Sequence, residues 1–123
     1  MPDPRRALGA LGERLAADHL RRAGFQIVER NFRTRYGELD IIARHEDTVV
    51  FVEVKARRGG RFGDPAGSVT TEKQRRLVLM AADYLARHGL TRTPVRFDVV
   101  AVTLASGVAP SVTLFPDAFR PGW

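Results

Sequence analysis

Residues 37–55 read Gly37-Glu38-Leu39-Asp40-Ile41-Ile42-Ala43-Arg44-His45-Glu46-Asp47-Thr48-Val49-Val50-Phe51-Val52-Glu53-Val54-Lys55, two apolar, β-branched runs around a short polar break. Both runs read as strands, and His45-Glu46-Asp47-Thr48 reads as the hairpin loop that joins them. Side chains alternate between the faces of a strand, so Glu53 and Lys55 point one way while Val50, Val52 and Val54 point the other. A hairpin closing symmetrically on Glu46-Asp47 sets Asp40 opposite Glu53 and Glu38 opposite Lys55, whereas a three- or five-residue loop would shift this register. Two carboxylates that face each other roughly 4.5–5.5 Å apart at Cβ repel unless one is protonated or a cation lies between them. A hard divalent ion removes the conflict, and carboxylate oxygens with waters completing an octahedron suit Mg²⁺ or Mn²⁺ better than zinc.

Outward from the hairpin, Leu8, Leu11 and Leu15 with Ala7, Ala16 and Ala17 predict a helix from Arg5 to Ala23, stopped by Gly24. Glu13 lies seven residues before Leu20, hence on roughly the same face, and looks toward the protein. A short strand follows from about Gln26 to Phe32. After Lys55 the segment Ala56-Arg57-Arg58-Gly59-Gly60-Arg61-Phe62-Gly63-Asp64-Pro65-Ala66-Gly67 reads as a basic, mobile loop. Thr71 and Gln74 have capping-box spacing, and a second helix runs on to His88, closed by Gly89. Lys73, Gln74 and Arg76 crowd its first turns, an end that already favours anions. A fourth strand, Val95 to Leu104, turns at Ser106-Gly107 into a short last strand ending near Phe115, and Pro116 to Trp123 carries no clear period. The order is helix, three strands, helix, strand, strand: an α/β single domain over residues 1–123, with a mixed central sheet flanked by helices.

Composition narrows the chemistry. The chain has no cysteine, which excludes disulfides, thiolate catalysis and cysteine-based zinc sites. No stretch approaches the roughly 18 apolar residues of a membrane span, and the first residues lack the apolar run of a signal peptide, so a soluble cytoplasmic protein without a membrane partner is expected. The net charge of +6 points to an anionic partner, and nucleic acid fits better than a membrane surface because no helix joins a basic face to exposed Trp or Phe. Eighteen of the 20 basic residues are arginine; the two lysines are Lys55 and Lys73. A chain this biased toward arginine keeps lysine where a compact ammonium is needed, and Lys55 stands beside the expected metal carboxylates.

Phosphodiester hydrolysis needs an activated water, charge stabilisation on the phosphate and help for the departing oxygen, all of which a divalent ion supplies. Asp40 and Glu53 would ligate it with the Val54 carbonyl, Lys55 would orient or deprotonate the attacking water, and Glu13 would hold a water of the ion's shell or a second ion. Arg57, Arg58 and Arg61 of the loop, with Lys73, Gln74 and Arg76 of the second helix, would hold the nucleic-acid backbone. His19, His45 and His88 lack metal-ligand spacing; Asp98 suits a salt bridge with an arginine; Tyr36 and Phe62 flank turns where packing accounts for them as well as base stacking does. A module that binds nucleic acid or protein without cutting is the alternative.

These residues resemble the PD-(D/E)-x-K, or restriction-endonuclease-like, nuclease superfamily along almost the whole chain. Within it the chain is similar to the small bacterial YraN-type proteins and, more distantly, to the archaeal Holliday junction resolvases. The resemblance runs through Gly12-Glu13, Asn31-Phe32-Arg33, Gly37-Glu38-Leu39-Asp40-Ile41-Ile42-Ala43, Phe51-Val52-Glu53-Val54-Lys55-Ala56-Arg57, Lys73-Gln74, Arg96-Phe97-Asp98 and Asp117-Ala118-Phe119. It implies Asp40 and Glu53 as the metal carboxylates, Lys55 as the lysine and Glu13 as the helix glutamate; Leu39 replaces the superfamily's proline before Asp40. It implies a Mg²⁺- or Mn²⁺-dependent endonuclease on DNA rather than RNA, branched or junction DNA included. A resolvase is expected to act as a two-fold homodimer, for which Val108, Val112 and Leu114 offer an apolar patch.

Overall fold

Asp3 starts the first helix: its carboxylate accepts from the Arg5 N–H at 2.9 Å, and Pro4 follows at a position whose N–H would have no helical partner. In the computed structural model, which describes residues 3–59, 65 and 67–122, this gives α1 over Pro4–Arg22. β1 (Gln26–Thr34), β2 (Gly37–His45) and β3 (Thr48–Arg58) form an antiparallel meander, α2 (Thr71–Arg87) crosses over to β4 (Val95–Leu104), and β5 (Ser111–Phe119) returns beside it. The five strands form one mixed sheet in sequence order, with β3 and β4 its parallel pair, which requires the crossover that α2 supplies.

Each face of the sheet carries one helix. Ala16, Ala17 and Leu20 of α1 bury Ile41, Ala43, Val50, Val52, Val100 and Val102, while Leu77, Met80 and Tyr84 of α2 bury Leu39, Ile42, Phe51 and Phe97. Val50 and Val52 therefore face α1, and Glu53, one residue on, faces α2. No helix among the described residues is long and apolar enough to cross a membrane.

The hairpin register is the expected one over five pairs, from His45 opposite Thr48 to Ile41 opposite Val52, with Glu46 of the two-residue turn at φ 58°. Beyond Ile41 the two strands part. The Val54 N–H is taken at 2.8 Å by an Asp40 carboxylate oxygen, a side chain standing where a backbone partner would be. Glu38 consequently does not face Lys55, contrary to the symmetric extrapolation; it pairs across β1 with Arg33.

Other boundaries differ for local reasons. β3 continues to Arg58 because β4 pairs with it as far as Arg58 opposite Leu104, so Ala56, Arg57 and Arg58 belong to the strand and not to the loop. Thr70, not Thr71, caps α2, its hydroxyl accepting from the Lys73 N–H at 3.1 Å. β5 passes through Pro116 to Phe119, where a register shift and Asp117 at φ 52° absorb the proline on an edge strand that does not need its N–H. Val112 and Leu114 are half-buried against the α1-side core, leaving Val108, 66% exposed, as the open part of the expected patch.

α1 lies close to the sheet because Gly12 meets Ala56: a Cβ built on Gly12 falls 2.6 Å from the Ala56 Cβ, too close for either to yield without backbone movement. Gly12→Ala is expected to cost about 1–3 kcal/mol of stability by urea denaturation, the usual penalty of overpacking, and to lift the neighbouring Glu13 from its position.

Candidate metal centre

Where β2 and β3 part, α1 closes the gap from one side. Carboxylate oxygens of Glu13, Glu38 and Asp40 lie within 4.8 Å of one another. Asn31 holds two of them, its amide nitrogen donating to an oxygen of Glu13 and, at 2.8 Å, to one of Glu38. Asn31 sits at φ 56°, a left-handed conformation that asparagine tolerates better than most residues, between Arg30 opposite Ile41 and Phe32 opposite Leu39. Ile41 packs under α1 and Leu39 under α2 although they are two residues apart, so the strand's alternation reverses at Asp40. Asn31→Ala is expected to lower the stability of the metal-free protein by about 1–3 kcal/mol, because two charged acceptors lose their shared donor; thermal unfolding in chelator measures it.

On the α2 side Asp40 meets Glu53. Although part of Asp40 remains accessible, its carboxyl is withdrawn from water, and this burial pushes its pKa from 3.8 up to about 9. A hydrogen bond to Glu53 and the charges of Glu53 and Glu13 push the same way, against the Val54 N–H. Asp40 therefore keeps its proton well above the usual carboxylate range. Glu53 is buried, 5% exposed, and its Oε2 has no aligned hydrogen-bond donor, although the Lys73 ammonium lies 3.1 Å from it. That contact is therefore an ion pair of charge proximity and not a directed hydrogen bond.

The oxygen donors of Glu13, Glu38 and Asp40 form the kind of cluster that hard divalent ions take, with Glu53 adjoining it through Asp40, and an ion there would remove a carboxyl conflict that now needs a proton. Lys55 and Glu13 line one groove of about 490 Å³ with Arg5, Arg57 and Arg58 at the α1 end of β3. Val54 reaches the site through its N–H. Of the remaining expected residues, Arg76 is exposed on α2, the Gln74 amide is engaged with the Val69 carbonyl at 3.0 Å, and Arg61 lies outside the described residues, as does Phe62. Asp98 stays apart from this cluster, bound to Arg96 through both oxygens at 2.8 Å.

Residues 12–102, a span that includes Glu13, Asp40, Glu53, Lys55 and Lys73, match the profile of the Uncharacterised protein family UPF0102. The chain belongs to this family. A UPF0102 protein of Rhodococcus jostii is 52% identical over 113 residues, covering 92% of this chain and 96% of the relative. UPF0102 proteins of Anaeromyxobacter dehalogenans and Syntrophotalea carbinolica are each 48% identical, over 124 and 120 residues, covering 98% and 97% of this chain and 92% and 97% of the relatives.

Proposed function

We propose that this chain is a Mg²⁺- or Mn²⁺-dependent nuclease of the PD-(D/E)-x-K superfamily that hydrolyses phosphodiester bonds in DNA, junction or other branched DNA included. The observation that carries this reading is the pair Asp40 and Glu53, brought together where two strands part, with Lys55 two residues further along the same strand and Glu13 closing from α1. A fold that needed only to bind phosphates would be better without a carboxyl pair held at a cost in stability. A divalent ion at this site would neutralise charge on the phosphate and lower the pKa of a water. Asp40, Glu53, Glu13 and Glu38 would hold it. Lys55, at the groove, would orient the water and accept or release its proton. Arg5, Arg57 and Arg58 give the same groove a basic wall suited to a phosphate backbone.

Cleavage of end-labelled four-way junction, flap, single-stranded and duplex DNA, and of the RNA counterparts, with Mg²⁺ or Mn²⁺ tests this. Wild type is expected to cut at least one DNA form and Asp40→Asn none. No cutting, with salt-sensitive binding that Asp40→Asn retains, would replace the reading by a binding module that does not cut. The Lys73–Glu53 ion pair is the observation on that side, since it gives Glu53 a cation from within the chain.

A further inference from the structure

Of the chain's two lysines, Lys73 stands at a buried carboxylate, its ammonium 3.1 Å from Glu53 Oε2, while Lys55 lies two residues beyond Glu53 on β3 and lines the groove with Glu13. The two lysines belong to different elements, Lys55 to β3 and Lys73 to the first turn of α2. Among the described arginines, Arg5, Arg57 and Arg58 line the groove. The Glu53 side chain is 6% exposed and that of Lys73 34%, so the carboxylate is committed to the interior while the lysine side chain is partly open to water. The contact also lacks hydrogen-bond alignment, which makes the ammonium easier to detach than a forked guanidinium would be.

We propose that Lys73 is the resident cation of this site: it neutralises buried Glu53 while no divalent ion is bound, and it is released to contact the nucleic-acid phosphate when one is. The inference rests on the metal-site reading above and adds a residue that acts in exchange with the ion. A buried carboxylate left without any cation is costly, so a site that fills and empties needs a substitute charge to keep its shape. A divalent ion beside Glu53 would repel an ammonium 3.1 Å from the same oxygen, and the Lys73 side chain, about a third exposed, can swing outward. Its outward position, in the first turn of α2, joins the charge of Arg76 and the positive end of the helix, where an anion is favoured.

Lys73→Met tests this through binding and stability, without reference to turnover. Removing a competing cation is expected to tighten Mn²⁺ binding by titration calorimetry about tenfold, while the melting temperature falls in chelator and returns to the wild-type value at saturating Mn²⁺. With Ca²⁺ as a non-cutting ion, the same change is expected to weaken duplex DNA binding about tenfold, and in chelator to leave it unchanged. A melting deficit of equal size with and without Mn²⁺, unfolding in both states included, or an unchanged or weaker Mn²⁺ affinity, would make Lys73 a structural partner only and overturn the inference. Wild-type protein that binds no Mn²⁺ at all would instead remove the metal-site reading itself.

Discussion

Asp40→Asn is expected to make the metal-free protein more stable at alkaline pH than wild type, and at the same time to abolish its stabilisation by Mg²⁺ or Mn²⁺. The folded-state pKa of Asp40 lies near 9, well above its ordinary 3.8. Between these values the folded protein holds a proton that the unfolded chain has released, so the stability Asp40 contributes is complete below about pH 4 and is lost as pH rises toward about 9. One proton gives a slope of at most about 1.4 kcal/mol per pH unit. Asparagine imitates the protonated acid: its oxygen can accept from the Val54 N–H and its amide can donate to Glu53, with nothing to titrate. Chemical unfolding across this pH range should show a falling wild-type curve and a flatter variant curve, with the variant above at the alkaline end. Divalent ion should raise only the wild type. Variant and wild-type curves of equal slope would mean that Asp40 is ionised in the folded protein.

Asp98→Ala is expected to cost about 1–3 kcal/mol of stability without changing metal affinity, because the Arg96 guanidinium and the Asp117 N–H lose their shared buried acceptor. The Asp98 side chain is fully buried; both oxygens bind Arg96 at 2.8 Å, and Oδ1 also accepts from the Asp117 N–H at 3.0 Å. The latter bond pins the left-handed residue of the β5 bulge, beyond which Phe119 stacks on Phe97 at 4.9 Å. The end of β5 should therefore lose amide-exchange protection before the rest of the sheet. Arg96→Ala should cost a comparable amount, and the double variant less than the two costs together, since neither charge is then left alone. Urea denaturation and Mn²⁺ titration of the same samples separate this role from the carboxylate cluster. A loss of metal affinity in Asp98→Ala would place Asp98 within the site.

The hairpin was legible because its signal is local: two β-branched runs with a two-residue polar turn leave one symmetric register, and charged residues at alternate positions disclose their face. The bias toward arginine made Lys55 conspicuous, and the same count pointed at Lys73, whose destination at Glu53 depends on how α2 docks. Glu38 and Asn31 were missed as site residues for different reasons. Glu38 is two residues from Asp40, and that spacing was a usable signal, but the assumed pairing gave it to Lys55. Asn31 acts through a left-handed backbone that no periodicity reveals. The strand beyond Phe115 was not legible because Pro116 to Trp123 carries no clear period, and the register shift at Pro116 and Asp117 that lets an edge strand accommodate the proline interrupts the alternation.

Since the Glu46-Asp47 turn closes locally, β2 and β3 can pair within about 1–10 μs of the start of folding, long before the parallel β3–β4 pair closes its much larger loop. Asp40 and Glu53 then meet in an open hairpin, in water. α1 and α2, bringing Glu13 and Lys73, cover them afterwards. Lys73 supplies the charge for Glu53 in that step, whereas Asp40, whose pKa rises to about 9 on burial, has to take up a proton or meet a divalent ion as it is enclosed. Refolding monitored by stopped flow should slow as the pH is raised and recover when a divalent ion is present in the refolding buffer, so the charge arrangement at the parted strands also sets the pace at which the chain reaches its native state.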